Sequence, residues 1–204
     1  MTNRNVNAGE SGNSTSLGLL ERVKARDQVA WERLVSLYAS LVDHWCQRAG
    51  LQDADVADLR QEVFLAVARN IDDFHRNRAG DTFRGWLRTI TQHRLCDHWR
   101  KIGTGLVGRG TPSQERLGQI STPAQDADDS SNAEETGMLY RRALELMQWD
   151  FEERSWQAFW RVVIEGQNPK EVAAQLQMTP NAVYLAKGRV LARLREEFAG
   201  VIDR

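Results

Sequence analysis

Apolar residues return at steps of three and four along nearly the whole chain, and a single polar stretch, residues 103–136, interrupts them. A period near 3.6 marks helices that bury one face. No segment shows the alternation of a half-buried strand, so the chain is expected to be all-α, with two helical modules joined by a flexible acidic linker. Trp31, Leu34, Tyr38, Leu41 and Trp45 form one stripe, with Asp27 placed to cap it and Gly50 to stop it. Val56, Leu59, Val63, Val67 and Ile71 form a second, opened by Asp53 or Asp55. After a polar loop, HRNRAGD (75–81), Thr82 caps a third helix bearing Phe83, Trp86, Leu87, Ile90 and Trp99. With a short helix near 17–25, these make a first module over residues 17–102.

Residues 103–136 hold glycines, Thr-Pro twice and an acidic run, with too few apolar residues to build a core. Residues 1–16 are polar, lack the apolar centre of a signal peptide and are expected to be a disordered tail. No apolar run approaches the ~20 residues of a membrane span, so a cytoplasmic chain with no membrane insertion is expected.

The C-terminal module, 137–204, carries the sharpest local signal. Asn168-Pro169-Lys170-Glu171 combines a capping residue, a proline in the first helical turn and a glutamate that can close a capping box. Thr179-Pro180 repeats the start, opening a longer basic helix. A short helix, a tight turn and a longer basic helix read as helix-turn-helix. Val183, Val190 and Leu194 share its inner face, leaving Asn181, Tyr184, Leu185, Gly188 and Arg189 toward a DNA groove or simply toward solvent. A mid-helix glycine costs about 1 kcal/mol relative to alanine. Close approach to DNA or to another helix would each explain Gly188.

The net charge of −1 conceals strong local imbalance. Arg84, Arg88, Arg94, Arg100 and Lys101 crowd 82–101 against Asp97 alone, and Lys187, Arg189, Arg193 and Arg195 meet no acid in 179–195. Asp53, Asp55, Asp58, Glu62, Asp72 and Asp73 make 51–73 acidic. Basic and acidic segments alternate, so the summed charge hides two candidate DNA-binding surfaces. Phe83 and Trp86 share a stripe with Ile90 and belong to the core, whereas Trp99 stands beside the cations.

Other chemistries lack their residues. His44-x-Cys46 and Cys96-x-His98 place their pairs about 200° apart on a helix, the wrong spacing for a shared metal. There is no phosphate loop, HExxH or nucleophile elbow, and His93 with Asp97 is weak ground for acid–base work, so neither enzyme nor cofactor is expected.

Three stretches together resemble the extracytoplasmic-function (ECF) group of bacterial RNA polymerase sigma factors. ADLRQEVFLAVARNIDDF (57–74) is similar to the family's polymerase-binding helix. FRGWLRTITQHRLCDHWRK (83–101) is similar to its promoter-melting helix, and NPKEVAAQLQMTPNAVYLAKGRVLARLRE (168–196) to its C-terminal helix-turn-helix. The resemblance implies a region-2-like first module and a region-4-like second one. It assigns Asp58, Leu59, Gln61, Glu62 and Phe64 to core polymerase. Arg84, Arg88, Gln92, His93, Asp97, Arg100 and Lys101 fall to a single-stranded minus-ten element, and the HRNRAGD loop to a flipped-out base. Thr179, Asn181, Tyr184, Leu185, Lys187, Gly188 and Arg189 fall to a duplex minus-thirty-five element.

There are three departures from the family pattern. His93 stands where many relatives carry asparagine, and Gln177 holds the turn position usually given to glycine. Tyr184-Leu185-Ala186-Lys187 replaces a more polar run, shifting expected readout toward methyl and apolar contacts.

The implied partners are core RNA polymerase and promoter DNA. An anti-sigma factor restrains many relatives, but no residue here shows one. A flexible linker of this length averages roughly 30–35 Å, near the ~34 Å of one DNA turn, so it permits both contacts without setting their spacing. The rival reading, a stand-alone helix-turn-helix regulator, would bind its operator without polymerase.

Overall fold

The computed structural model describes residues 18–76, 81–105, 129–199 and 201–202. The expected tail at 1–16, loop residues 77–80 and the middle of the expected linker, 106–128, lie outside these. The described residues form α1 (Leu19–Lys24), α2 (Gln28–Arg48), α3 (Asp53–Asn70), α4 (Phe83–Gly105), α5 (Asp129–Met147), α6 (Glu153–Val163), α7 (Pro169–Gln175) and α8 (Pro180–Glu197). Short 3-10 turns at Ile71–Asp73 and Gln148–Asp150 follow α3 and α5. No strand occurs among the described residues, as the helical period requires.

Local signals set most of the helix ends. Asp27 accepts the Ala30 amide at 3.1 Å, Thr82 the Gly85 amide at 2.9 Å, Asn168 the Lys170 amide at 2.9 Å and Thr179 the Ala182 amide at 3.1 Å. Each satisfies a donor that the first helical turn leaves orphaned. The Ala30 bond, with Arg22 alongside, holds the Asp27 carboxyl below its ordinary value. Gly50 ends α2 at φ +85°, a conformation glycine adopts without a Cβ penalty.

The linker expectation needs correcting at both ends. α4 runs to Gly105, and α5 begins at Asp129, well inside the stretch assigned to linker. The apolar content of 129–136 is too low to announce a helix. Its order comes from packing on α2 and α4, which a periodicity argument does not see.

α2 lies at the centre, against α1, α3, α4 and α5. Leu34, Leu37, Tyr38, Leu41 and Val42 are fully buried, and each large aliphatic side chain in such a position contributes about 1.5–3 kcal/mol. The core continues from there into the C-terminal module through Leu139, Ala143, Met147, Phe159, Val190, Phe198 and Val201. Polar contacts reinforce the join. Tyr38 donates to the Val201 carbonyl at 2.5 Å, and Arg142 to the Ser36 carbonyl at 3.0 Å. Arg33 pairs with Asp150 at 3.1 Å and with Glu197 at 2.5 Å. Burial pushes the Glu197 carboxyl up, while Arg33 and Arg193 pull it back. The two modules therefore share one core.

The helix-turn-helix rests on a smaller foundation. Ala158, Val172, Ala173, Val183 and Ala186 form a separate cluster among α6, α7 and α8, edged by Val162, Leu176 and Met178.

Candidate functional site

Three surfaces carry the residues assigned by resemblance. On α3, Asp58, Gln61 and Glu62 are exposed, and Glu62 lies 3.7 Å from Lys101 of α4. Leu59 and Phe64 are not on this surface, which corrects the assignment. They are 2% and 6% exposed, because Leu59 shares the inner row with Val63 and Phe64 packs edge-on against Trp31 at 6.4 Å. The apolar side chain that α3 does present is Leu65, 57% exposed.

α4 is pinned by Phe83, Leu87, Thr91 and Leu95, one buried row at steps of four. Thr91 hides in that row by donating its hydroxyl to the Leu87 carbonyl at 2.9 Å. Phe83 and Trp86 pack with Phe74, and Trp99 is also partly buried against the core. Of the residues assigned to a single strand, His93, Arg100 and Lys101 are exposed, while Gln92 and Asp97 are half-buried. Asp97 pairs with Arg100 at 2.9 Å and lies 3.8 Å from Arg94. His93, Asp97 and Arg100 line a groove of about 400 Å³ between α3 and α4, together with Ala66, Asn70 and Ile90.

Arg84 and Arg88 face an intramolecular partner. Arg84 donates to the Thr136 hydroxyl at 2.6 Å, to the Asn132 carbonyl at 3.2 Å and to the Asn132 side-chain oxygen. Arg88 pairs with Glu135 at 3.3 Å and lies over the Trp45 ring at 5.8 Å. Glu135, only 2% exposed, also accepts from the Trp45 indole at 2.8 Å. Sequence reasoning missed these first two turns of α5. The signal was there: Glu135 extends the buried row of Leu139, Ala143 and Met147 one step toward the N-terminus.

On α8 the inner and outer faces fall as the spacing predicts. Val183 and Val190 are fully buried and Leu194 is 9% exposed. Asn181, Tyr184, Leu185, Gly188 and Arg189 are exposed, Lys187 is half-buried, and Thr179 serves as the cap. A Cβ built on Gly188 meets nothing within 4 Å, so helix packing does not explain that glycine. Gln177 has φ +53°, the left-handed conformation its turn demands.

Among the described residues no group of three or more His, Cys, Asp and Glu side chains could hold a metal. Burial, with Asp43 nearby, pushes the Cys46 thiol up to about 12, far from a reactive thiolate. No described helix is long and apolar enough to cross a membrane.

An all-α chain with a basic helix over a grooved surface and a bare helix-turn-helix defines a DNA-binding transcription factor. Comparison with known proteins narrows the class. Residues 34–104 match the family model for sigma-70 region 2. The chain is 27% identical over 182 residues to the RNA polymerase sigma factor CnrH of Cupriavidus metallidurans, covering 86% of this chain and 90% of that one. Shorter matches link it to the ECF sigma factors SigE of Mycolicibacterium smegmatis, at 34% over 80 residues, and SigW of Bacillus subtilis, at 32% over 82 residues. These cover 38% and 40% of this chain, and 30% and 42% of those relatives. Residues 34–104 therefore form a sigma-70 region 2, and the chain as a whole is similar to ECF-type RNA polymerase sigma factors. Its function is promoter-specific initiation of transcription, with core RNA polymerase and promoter DNA as partners. Members of the family are regulatory initiation factors rather than catalysts.

Proposed function

We propose that the work of initiation is divided among three helices. The exposed face of α3, with Asp58, Gln61 and Glu62, docks on core polymerase. α4 takes the melted minus-ten strand, with Arg84, Arg88, Arg100 and Lys101 on its phosphates and Gln92, His93 and Asp97 toward its bases. The groove between α3 and α4 is lined by polar and apolar side chains together, a chemistry that suits an unstacked base. α8 enters the major groove of the minus-thirty-five duplex with Asn181, Tyr184, Leu185, Lys187 and Arg189, oriented by the Thr179 cap. The chain acts in the cytoplasm, beside the polymerase, and does no chemistry of its own.

The carrying observation is the outer face of α8. Tyr184 is 56% and Leu185 51% exposed, large side chains left beside Arg189 and an uncovered Gly188. Such side chains without a core role suit contacts to thymine methyls and base edges.

A promoter-binding and transcription assay tests the division. Arg189→Ala is expected to lower promoter-dependent transcription while core binding is unchanged, and Glu62→Lys to lower core binding first. If both substitutions altered only DNA affinity, the division would fall.

A further inference from the structure

α1 and the turn after it take hold of the far end of α3. Lys24, the last residue of α1, donates to the Phe74 carbonyl at 2.6 Å and stands over the Phe74 ring at 5.8 Å. Arg26 donates to the Ala68 carbonyl at 3.2 Å and pairs with Asp72 at 2.5 Å. Both cations meet the acceptors that gather where α3 gives way to the turn at Ile71–Asp73, the end of a helix that favours positive charge. Phe74 carries the grip onward, because its buried ring packs on Phe83 and Trp86 of α4 at 5.4 and 5.2 Å.

Fold stability accounts poorly for Arg26. The residue sits at φ +64°, in the left-handed region where glycine is at ease and other side chains are rare. Its pair with Asp72 is exposed on both sides, 60% and 59%, and such pairs contribute little. A glycine would turn the chain at lower cost, but it could not reach α3. What the arginine adds is a fixed position for the last turns of α3. Ala66 and Asn70 on those turns line the α3–α4 groove with His93 and Asp97 of α4, and the Asn70 amide donates to the Ala66 carbonyl at 2.8 Å.

We propose that Lys24 and Arg26 are positioning residues for base capture: by holding the end of α3, they set the spacing at which the groove admits an unstacked base of the minus-ten strand. Both act through α3 and Phe74. A base in a groove is held by many weak contacts over its faces, so displacing one wall loses them without changing any group that lines it. The inference rests on the reading that the groove takes the base.

The test uses the holoenzyme and a fluorescent minus-ten single strand from a promoter it transcribes, intact or with one abasic position at a time, read by anisotropy. Wild type should lose about tenfold in affinity at the position whose base enters the groove, the worth of one stacked base. Lys24→Met and Arg26→Gly should each shrink that ratio to about threefold or less, while affinity for the abasic strand and for core polymerase stays at the wild-type value. Lys24→Arg, which keeps a cationic donor, should restore the ratio. Arg26→Gly also relieves the left-handed backbone, so its melting temperature should not fall, and stability and base capture part company. Equal losses on intact and abasic strands would reduce the role to structure and overturn the proposal, and so would a wild-type ratio in both turn variants. Should Lys24→Met not fold, Arg26→Gly decides alone. Asn70→Ala with His93→Ala, in the groove itself, separates the two readings. If that variant loses the ratio and the turn variants keep it, the groove takes the base and only the positioning role falls. If it keeps the ratio as well, the base lies elsewhere and the groove reading falls with the proposal.

Discussion

α4 and α8 are both basic helices offered to DNA, yet they are held in opposite ways. α4 stands on the main core through Phe83, Leu87, Thr91 and Leu95, and two of its arginines are engaged by α5. The first half of α8 stands on a small cluster of alanines and valines, while Val190 and Leu194 tie its second half to the main core, and its outer face carries Tyr184, Leu185 and Arg189 into solvent. The contrast separates two demands. The surface proposed to take an unpaired strand is stiff beneath and partly covered above. A surface that reads intact duplex can stay open, because non-specific binding through a few cations remains weak at physiological salt.

The sharpest way to break the comparison is to remove the smaller foundation. Val183→Asp places a charge in the small cluster and should cost about 3–5 kcal/mol. The expected outcome is loss of minus-thirty-five duplex binding while core polymerase still binds, checked by gel filtration and footprinting. If core binding vanished as well, the small cluster would be no separate foundation.

The two arginines should then respond differently. Arg189→Ala removes an uncovered contact and should weaken holoenzyme binding to the duplex by about 1–3 kcal/mol. Arg88→Ala removes the proposed strand contact, which Glu135 of α5 already occupies in the free chain. Its penalty in the free chain should be smaller than in the holoenzyme. Equal penalties in both states would mean that α5 does not cover α4 in solution.

Gly188→Ala sharpens the reading of α8. A Cβ there meets open space, so helix propensity should raise stability by about 1 kcal/mol in chemical denaturation. Duplex binding should fall, because the added methyl stands where the groove wall comes close. A gain in stability with binding unchanged would show that DNA does not use the gap. The smallest effect is expected at Gln177, held at φ +53°. Gln177→Gly should relieve the left-handed strain and add about 0.5–1 kcal/mol, visible as a raised midpoint with duplex specificity intact.

The all-α class, the capping residues and the two faces of α8 were legible because each depends on neighbours a turn away. Asp27, Thr82, Asn168 and Thr179 cap the helices that follow them, and Val183, Val190 and Leu194 turn inward. What escaped depends on residues far apart in sequence. Glu135 reads as one more acid in an acidic stretch until Trp45 and Arg88 stand beside it. Phe64 is one of the residues the resemblance assigns to docking, yet it packs against Trp31 of another helix and belongs to the core. Thr91 joins none of the apolar stripes in the sequence, yet it is buried because its hydroxyl is satisfied by the Leu87 carbonyl of its own helix.

The buried row of α5 ends in an acid rather than a hydrocarbon, and this gives the molecule a seam. Met147, Ala143 and Leu139 have nothing to gain from water, but Glu135 regains a full hydration shell the moment it swings clear. A peel that begins at the wet end meets its smallest resistance first, so the helix can lift turn by turn instead of tearing away whole.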